Sequence, residues 1–279
     1  MEEYMEIGVC IEFNDKDTID DKFRTTAKQG FHSCQLMCWK PELYSDENAQ
    51  LICEASKKYD IVITAIWCGW VGPAVWDFYE GQETLGLIPL TYRFERMKNL
   101  MDGADFGHKM GVTDVISHMG FIPENPYDAN YAGFISSLRY VANHLKHNGQ
   151  YLLFETGQET PVAIMRAFED IGTDNLGVNL DTANLIMYGK ANPVDSLDMI
   201  GKYVRNIHAK DGVYPTGGRT LGAEVKLGTG KVDFKRFLAG LKEYNYCGPI
   251  TIEREIGGDQ QLEDIMEAKA FLERLIREG

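Results

Sequence analysis

The sequence predicts an α/β fold, a closed parallel (β/α)8 TIM barrel formed as a single domain over residues 1–279, and three observations carry that prediction. Short apolar, β-branched runs alternate with longer amphipathic segments from one end of the chain to the other. There are eight such pairs, the count of a closed barrel. Glu12-Phe13-Asn14-Asp15 follows the first run, where a doubly wound nucleotide-binding sheet would carry a glycine-rich turn.

The strands are expected over Met5–Ile11, His32–Met37, Ile61–Trp67, Thr113–Ser117, Tyr151–Glu155, Leu176–Leu180, Val204–His208 and Gly248–Glu253. Between and after them, hydrophobic residues recur at three and four positions over 18–29, 46–59, 92–110, 129–147, 160–171, 193–201, 233–243 and 259–277, which is helical spacing. Turn residues such as Asn148-Gly149 and 172–175 separate the segments. The longest irregular stretch, 68–91, holds Trp70, Trp76, Phe78 and Tyr79 and follows strand three. It reads equally as a lid or wall over a catalytic face and as a packed surface loop. No linker, low-complexity segment or solenoid repeat breaks the chain.

Composition narrows the function. The formal net charge is −14, with no visible cluster of Lys and Arg, so neither nucleic acid nor an anionic membrane is expected as a partner. The first residues are acidic and lack the basic region of a signal peptide, and no apolar run approaches a membrane span; the expected location is cytoplasmic. Six cysteines at 10, 34, 38, 53, 68 and 247 read as reduced core thiols.

In a barrel, side chains at the C-terminal strand ends converge on one mouth. In the second half those ends are Glu155, Asp181, His208 and Glu253. Any one of them could be a helix cap or a satisfied core group. Three carboxylates meeting unpaired would repel, and at least one would have to take a proton. A single divalent metal ion relieves the repulsion, and mixed oxygen and nitrogen donors suit Mn²⁺, Co²⁺, Mg²⁺ or Zn²⁺. Such a cation would polarise a sugar carbonyl, with Glu155 and Glu253 as the catalytic pair moving a carbon-bound proton through an enediolate.

The stretches FETGQET (154–160), GVNLDTANLIMYGKANP (177–193), NIHAKDG (206–212), LGTGKVDF (227–234) and ITIERE (251–256) resemble the xylose-isomerase-like superfamily of sugar (phosphate) isomerases and epimerases. The resemblance spans the chain and is strongest from 150 to 256. It implies a metal held by Glu155, Asp181, His208 and Glu253, with the two glutamates as the catalytic pair. Ketose 3-epimerases, inosose dehydratases and hydroxypyruvate isomerases share this frame, as do zinc apurinic endonucleases. The last need further histidines, and none occurs beyond His208. Relatives often carry a histidine where Asn184 stands here, and Asn184 is expected to bind a substrate hydroxyl instead.

By position, His118 matches a substrate-contacting or supporting histidine. Glu159 is either a sugar contact or an N-cap partner for the helix near Thr160. Arg219 follows His208 at longer spacing than the arginine of the ketose epimerases and is a substrate-binding candidate. Trp67, with Glu12 and Trp39 near neighbouring strand ends, offers a ring on which a sugar could stack. Lys210 and Asp211 are expected to hold their loop and orient His208. The Gly228-Thr229-Gly230 turn reads as structural. The leading reading is a metal-dependent isomerase or epimerase of a sugar or polyol; the alternatives are a metal-dependent lyase and a non-catalytic sugar-binding barrel. Barrels of this kind commonly pair, so a homodimer or homotetramer is expected.

Overall fold

The computed structural model describes residues 5–278; positions 1–4 and 279 of the expected domain lie outside the described residues. Eight parallel strands close into a barrel in chain order: Ile7–Glu12, Ser33–Cys38, Val62–Cys68, Asp114–Ser117, Tyr151–Glu155, Leu176–Asp181, Val204–Ala209 and Ile250–Ile252. The first and eighth pair directly, Gly8 against Thr251, which leaves no sheet edge. Strand five matches its expected bounds, whereas strand eight is shorter because only Ile250–Ile252 enter the ladder. The strand-six aspartate is the last residue of its strand.

Sequence chemistry marks the helix ends. The helix Asp46–Tyr59 starts at Ser45, whose hydroxyl accepts from Asn48 N, and ends on Asp60 in the left-handed region. Thr160 caps Pro161–Ile171 by accepting from Ala163 N, with Pro161 in the first turn. The apolar faces of these helices and of the helix Tyr131–His147 bury Ile52, Ile164, Phe134 and Leu138 in the core outside the sheet. Cys34, Cys38 and Cys68 lie in this core as free thiols; Cys247 is exposed, which corrects its assignment to the core. No helix among the described residues is long and apolar enough to cross a membrane.

Inside the barrel the packing is partly polar. The ladder slips one residue at Cys34/Gln35 and again at Val178/Asn179. Next to those irregularities Gln35 donates to Asn179 Oδ1 (3.2 Å) and Asn206 Oδ1 (3.3 Å), and Asn206 donates to Asp114 Oδ2 (2.7 Å). A hydrogen-bonded layer therefore lies in the barrel where a branched aliphatic layer is the usual filling. These bonds offset much of the cost of burying the amides, although Asn179 Nδ2 keeps no partner.

The stretch 68–91 is a wall fastened from below. Arg96, 1% exposed, donates to the carbonyls of Val71, Pro73, Thr84 and Gly86. Arg93 serves Leu87 and Ile88 in the same way. Both arginines stand on the helix Leu90–Lys109 and satisfy carbonyls that the irregular backbone leaves unpaired. Burial pushes the Arg96 guanidinium down to about 10, which leaves it charged at neutral pH.

Candidate metal centre and active site

The C-terminal ends of strands five to eight deliver Glu155, Asp181, His208 and Glu253 to one point, all buried, with ligand atoms within 4.8 Å of one another. His208 Nδ1 is the hub, 2.9 Å from Glu155 Oε1, 3.3 Å from Glu253 Oε2 and 3.9 Å from Asp181 Oδ2. Asp181 Oδ1 accepts from Ala183 N (2.8 Å) and Asn184 N (2.7 Å), while its Oδ2 is buried without a hydrogen-bond partner. A buried oxygen left unpaired among two more carboxylates and an imidazole is what a divalent cation would complete. The donor set fits the group.

The electrostatics agree with that fit. Burial opposes charge on Glu155, but His118 and His208 outweigh it and hold the carboxyl below its ordinary range. Burial likewise opposes charge on Glu253, and Lys210 with His208 holds it well below. Asp181 goes the other way: burial raises it well above the usual range, against the pull of Lys210. Burial works against a charged His208, yet Glu253 and Glu155 raise it well above 6.5. One cation at the hub would favour the charged Asp181 and the neutral His208, against the raised values of both.

Supporting groups come from several strands. Gln35 Oε1 lies 2.6 Å from His208 Nε2, which fixes the ring with Nδ1 turned to the carboxylates. Gln35 was not legible as a site residue, because nothing in CQLMC marks one buried glutamine as special. It, rather than Lys210 or Asp211, orients the histidine, and that expectation is corrected. Lys210 instead spans three carboxylates, Glu255 at 2.7 Å, Glu253 at 3.0 Å and Asp181 at 3.5 Å, and lies 3.4 Å from Asn184 Oδ1. Asp211 does hold its loop: its carboxylate accepts from the backbone N–H of Gly228, Gly230 and Val232. A Cβ on Gly230 would come within 2.2 Å of Asp211 Oδ1, so the 228–230 turn is structural.

Above the cluster opens a cavity of about 480 Å³, within the range of small-molecule sites. Trp67, His118, Asn184, Glu155 and Glu253 all line it. The indole N–H of Trp67 donates to Glu155 Oε2, and its ring centroid is 4.1 Å from that of Trp39. His118 Nε2 stands 3.6 Å from Glu155 Oε2, with Nδ1 unpaired. Burial lowers its pKa, against the pull of Glu155.

Two expected contacts fall elsewhere. Glu159 is fully buried away from the cavity and caps nothing, since Thr160 performs that task; Gln158 faces the cavity in its place, with both amide atoms unpaired. Beyond Glu155 the chain leaves the ladder through a bend, so two-residue alternation no longer tells which side chain returns to the mouth. Burial raises Glu159 to about 8. Arg219 is exposed on the bend 216–220 and does not line the cavity, whereas Leu221 does.

Comparisons with known proteins place the fold among related barrels. The family model of xylose isomerase-like TIM barrels matches residues 23–275. A xylose isomerase domain protein from Planctomyces limnophilus superposes with a TM-score of 0.91 at 32% identity, covering 99% of this chain and 98% of that one. An L-ribulose 3-epimerase shares the fold at 17% identity, with a TM-score of 0.73 over 98% and 96% of the two chains. An uncharacterized protein of Methanocaldococcus jannaschii is 23% identical over 273 residues, 93% of this chain and 85% of its own. With most of its length matched by the family model and a barrel closed as that family's is, this chain belongs to the xylose isomerase-like TIM barrel family.

Proposed function

We propose that the protein is a divalent-metal-dependent isomerase or epimerase that moves a carbon-bound proton beside the carbonyl of a sugar or polyol. The observation that carries this is the placement of two ionised glutamates, Glu155 and Glu253, around one histidine nitrogen, with the unpaired Asp181 Oδ2 beside them. Glu155, Asp181, His208 Nδ1 and Glu253 would hold the ion. Mn²⁺, Co²⁺, Mg²⁺ and Zn²⁺ all suit this donor set. When bound, it supplies Lewis acidity for the negative charge that develops next to the carbonyl.

The chain's own residues account for the proton. Both glutamates are held in the carboxylate form, so either can accept a proton from a substrate carbon. Trp67 and His118 fix Glu155, and Lys210 fixes Glu253, each by a contact to a carboxylate oxygen. Return of that proton to the adjacent carbon isomerises; inversion at the same carbon needs the opposite glutamate first to take a proton from solvent, which it then delivers to the other face. The unpaired groups of His118 and Gln158 are free to bind hydroxyls and set which carbon sits between the carboxylates. The buried floor keeps bulk water from the anionic carbon.

Mn²⁺-loaded protein in deuterated water tests the proposal across free ketoses, inososes and sugar phosphates. Exchange at one substrate carbon is expected, lost on chelation and restored by added metal. Glu155→Gln and Glu253→Gln should each reduce it by about 10²- to 10⁴-fold. Equal exchange in wild type and both variants would defeat the two-glutamate mechanism. A product lighter by one water would assign the same site to a lyase, and saturable binding without exchange would assign a sugar-binding barrel.

A further inference from the structure

We infer that the ligand of this cavity is an unphosphorylated sugar that carries an apolar, ring-sized substituent, in short a neutral glycoside. The inference rests on the metal-site reading for where the sugar sits, and on the rest of the cavity for what else the ligand must be.

The first ground is charge. Beyond Glu155 and Glu253, whose charge a bound cation would offset, Glu12 and Glu255 face the cavity, and among the described lining residues Arg254 is the sole arginine or lysine. That guanidinium is already spent, 2.8 Å from Glu224 and 2.9 Å from Asp264. The buried ammonium beneath the floor, Lys210, is shared among three carboxylates. The helix that begins beside the mouth opens with Asp259, so its N-terminal dipole already has an anion. A phosphate monoester needs a free arginine or lysine, or an unoccupied helix N-terminus. It would meet carboxylates instead, and like charges repel.

The second ground is surface chemistry. A free sugar presents hydroxyls around most of its rim and needs polar partners there. Two opposed arcs of the mouth carry large apolar side chains beside the polar Tyr188, Glu255 and Gln261. Trp39 and Trp76, six ångströms apart edge to face (6.0 Å), follow strands two and three. Across the ring, after strands six to eight, stand Met187, Leu221, Ile256 and Ile265. Trp76 remains 39% exposed, an aromatic ring at the rim with nothing covering one side. The buried polar groups are those of the cluster, His118 and Gln158, while Glu12 and Glu255 are exposed. The cavity therefore has a polar floor and a mouth that pairs apolar faces with carboxylates. A ligand that matches it is a polyhydroxylated ring directed inward with an apolar ring stacked between the arcs.

The test uses a panel of phenyl and methyl glycosides of glucose, galactose and mannose, with glucose 6-phosphate and fructose 6-phosphate as anionic probes. Each is titrated into Mn²⁺-loaded protein and followed by calorimetry and by tryptophan fluorescence. At least one phenyl glycoside should bind about tenfold more tightly than its methyl partner (about 1.4 kcal/mol), with quenching of the tryptophans, and both phosphates should bind more weakly than it. Trp76→Ala should abolish the phenyl preference. Sugar phosphates that bind more tightly than every glycoside overturn the inference, as do equal phenyl and methyl affinities or no saturable glycoside binding. The readout is binding, so it separates from the proposed reaction. Glycoside binding without deuterium exchange sinks the enzymatic reading alone, and exchange on a tightly bound sugar phosphate sinks this inference alone.

Discussion

Strands one to four and the loops after them bring Trp39, Trp67, Trp76 and Met37 to the mouth, whereas strands five to eight bring Glu155, Asp181, His208 and Glu253. The same backbone geometry, a parallel strand ending at the same rim, thus carries two different surfaces. One half stacks and excludes water; the other gathers charge that must be neutralised. The lesson concerns how the cost of each half is met. Clustered carboxylates are tolerated because His208 and the Lys210 ammonium stand among them, and a bound cation would offset them further. The irregular aromatic half is tolerated because two buried arginines answer its backbone carbonyls. The halves meet at Glu155, whose carboxylate receives Trp67 and His118 from one side and faces His208 on the other.

The division can be broken deliberately. Arg96→Met should have the largest effect, since four carbonyls lose their donor in a buried wall, with a loss of about 3 to 5 kcal/mol of stability. Thermal unfolding measures it. If the halves are separable, the folded variant should still titrate with Mn²⁺ as wild type does while its glycoside affinity falls. Matching losses of both would show that the wall also supports the metal cluster.

Gln35→Leu tests the one contribution that crosses from the first half to the cluster. Removing the partner of His208 Nε2 should weaken metal binding by about 10- to 100-fold, read by competition with a chromogenic chelator. Unchanged affinity would mean that the barrel's packing alone orients the imidazole.

Glu159→Gln should give an effect that depends on pH. The folded-state value of about 8 lies above the ordinary 4.5, because burial disfavours the carboxylate. The wild-type carboxyl is therefore harmless below about pH 4.5 and costs progressively more stability as pH rises from there to about 8. The variant should match wild type at pH 4.5 and exceed it at pH 9 by up to about 5 kcal/mol. A gain that does not vary with pH would show that Glu159 is not buried as a neutral acid.

Much of this architecture was written in local pattern. The eight strands and eight long helices follow from apolar periodicity, and cap residues such as Ser45, Thr160 and Asp233 mark helix starts by their chemistry. The four cluster residues were legible because each directly ends an apolar run, and a barrel sends strand ends to one mouth. Away from strand ends that logic fails: Glu159 gave way to its neighbour Gln158, and Arg219 stayed on the surface, because a bend has no fixed period.

By itself, then, the sequence determined the order of elements, the closed barrel and the identity of the residues at the ends of strands five to eight, since these depend on short-range periodicity and strand-end position. Tertiary structure alone decided that Gln35, 173 residues from His208, orients it, that Arg96 fastens the aromatic wall, and that Lys210 joins the carboxylates. Those contacts depend on barrel register and on where buried polar atoms lack partners, and no local spacing encodes either.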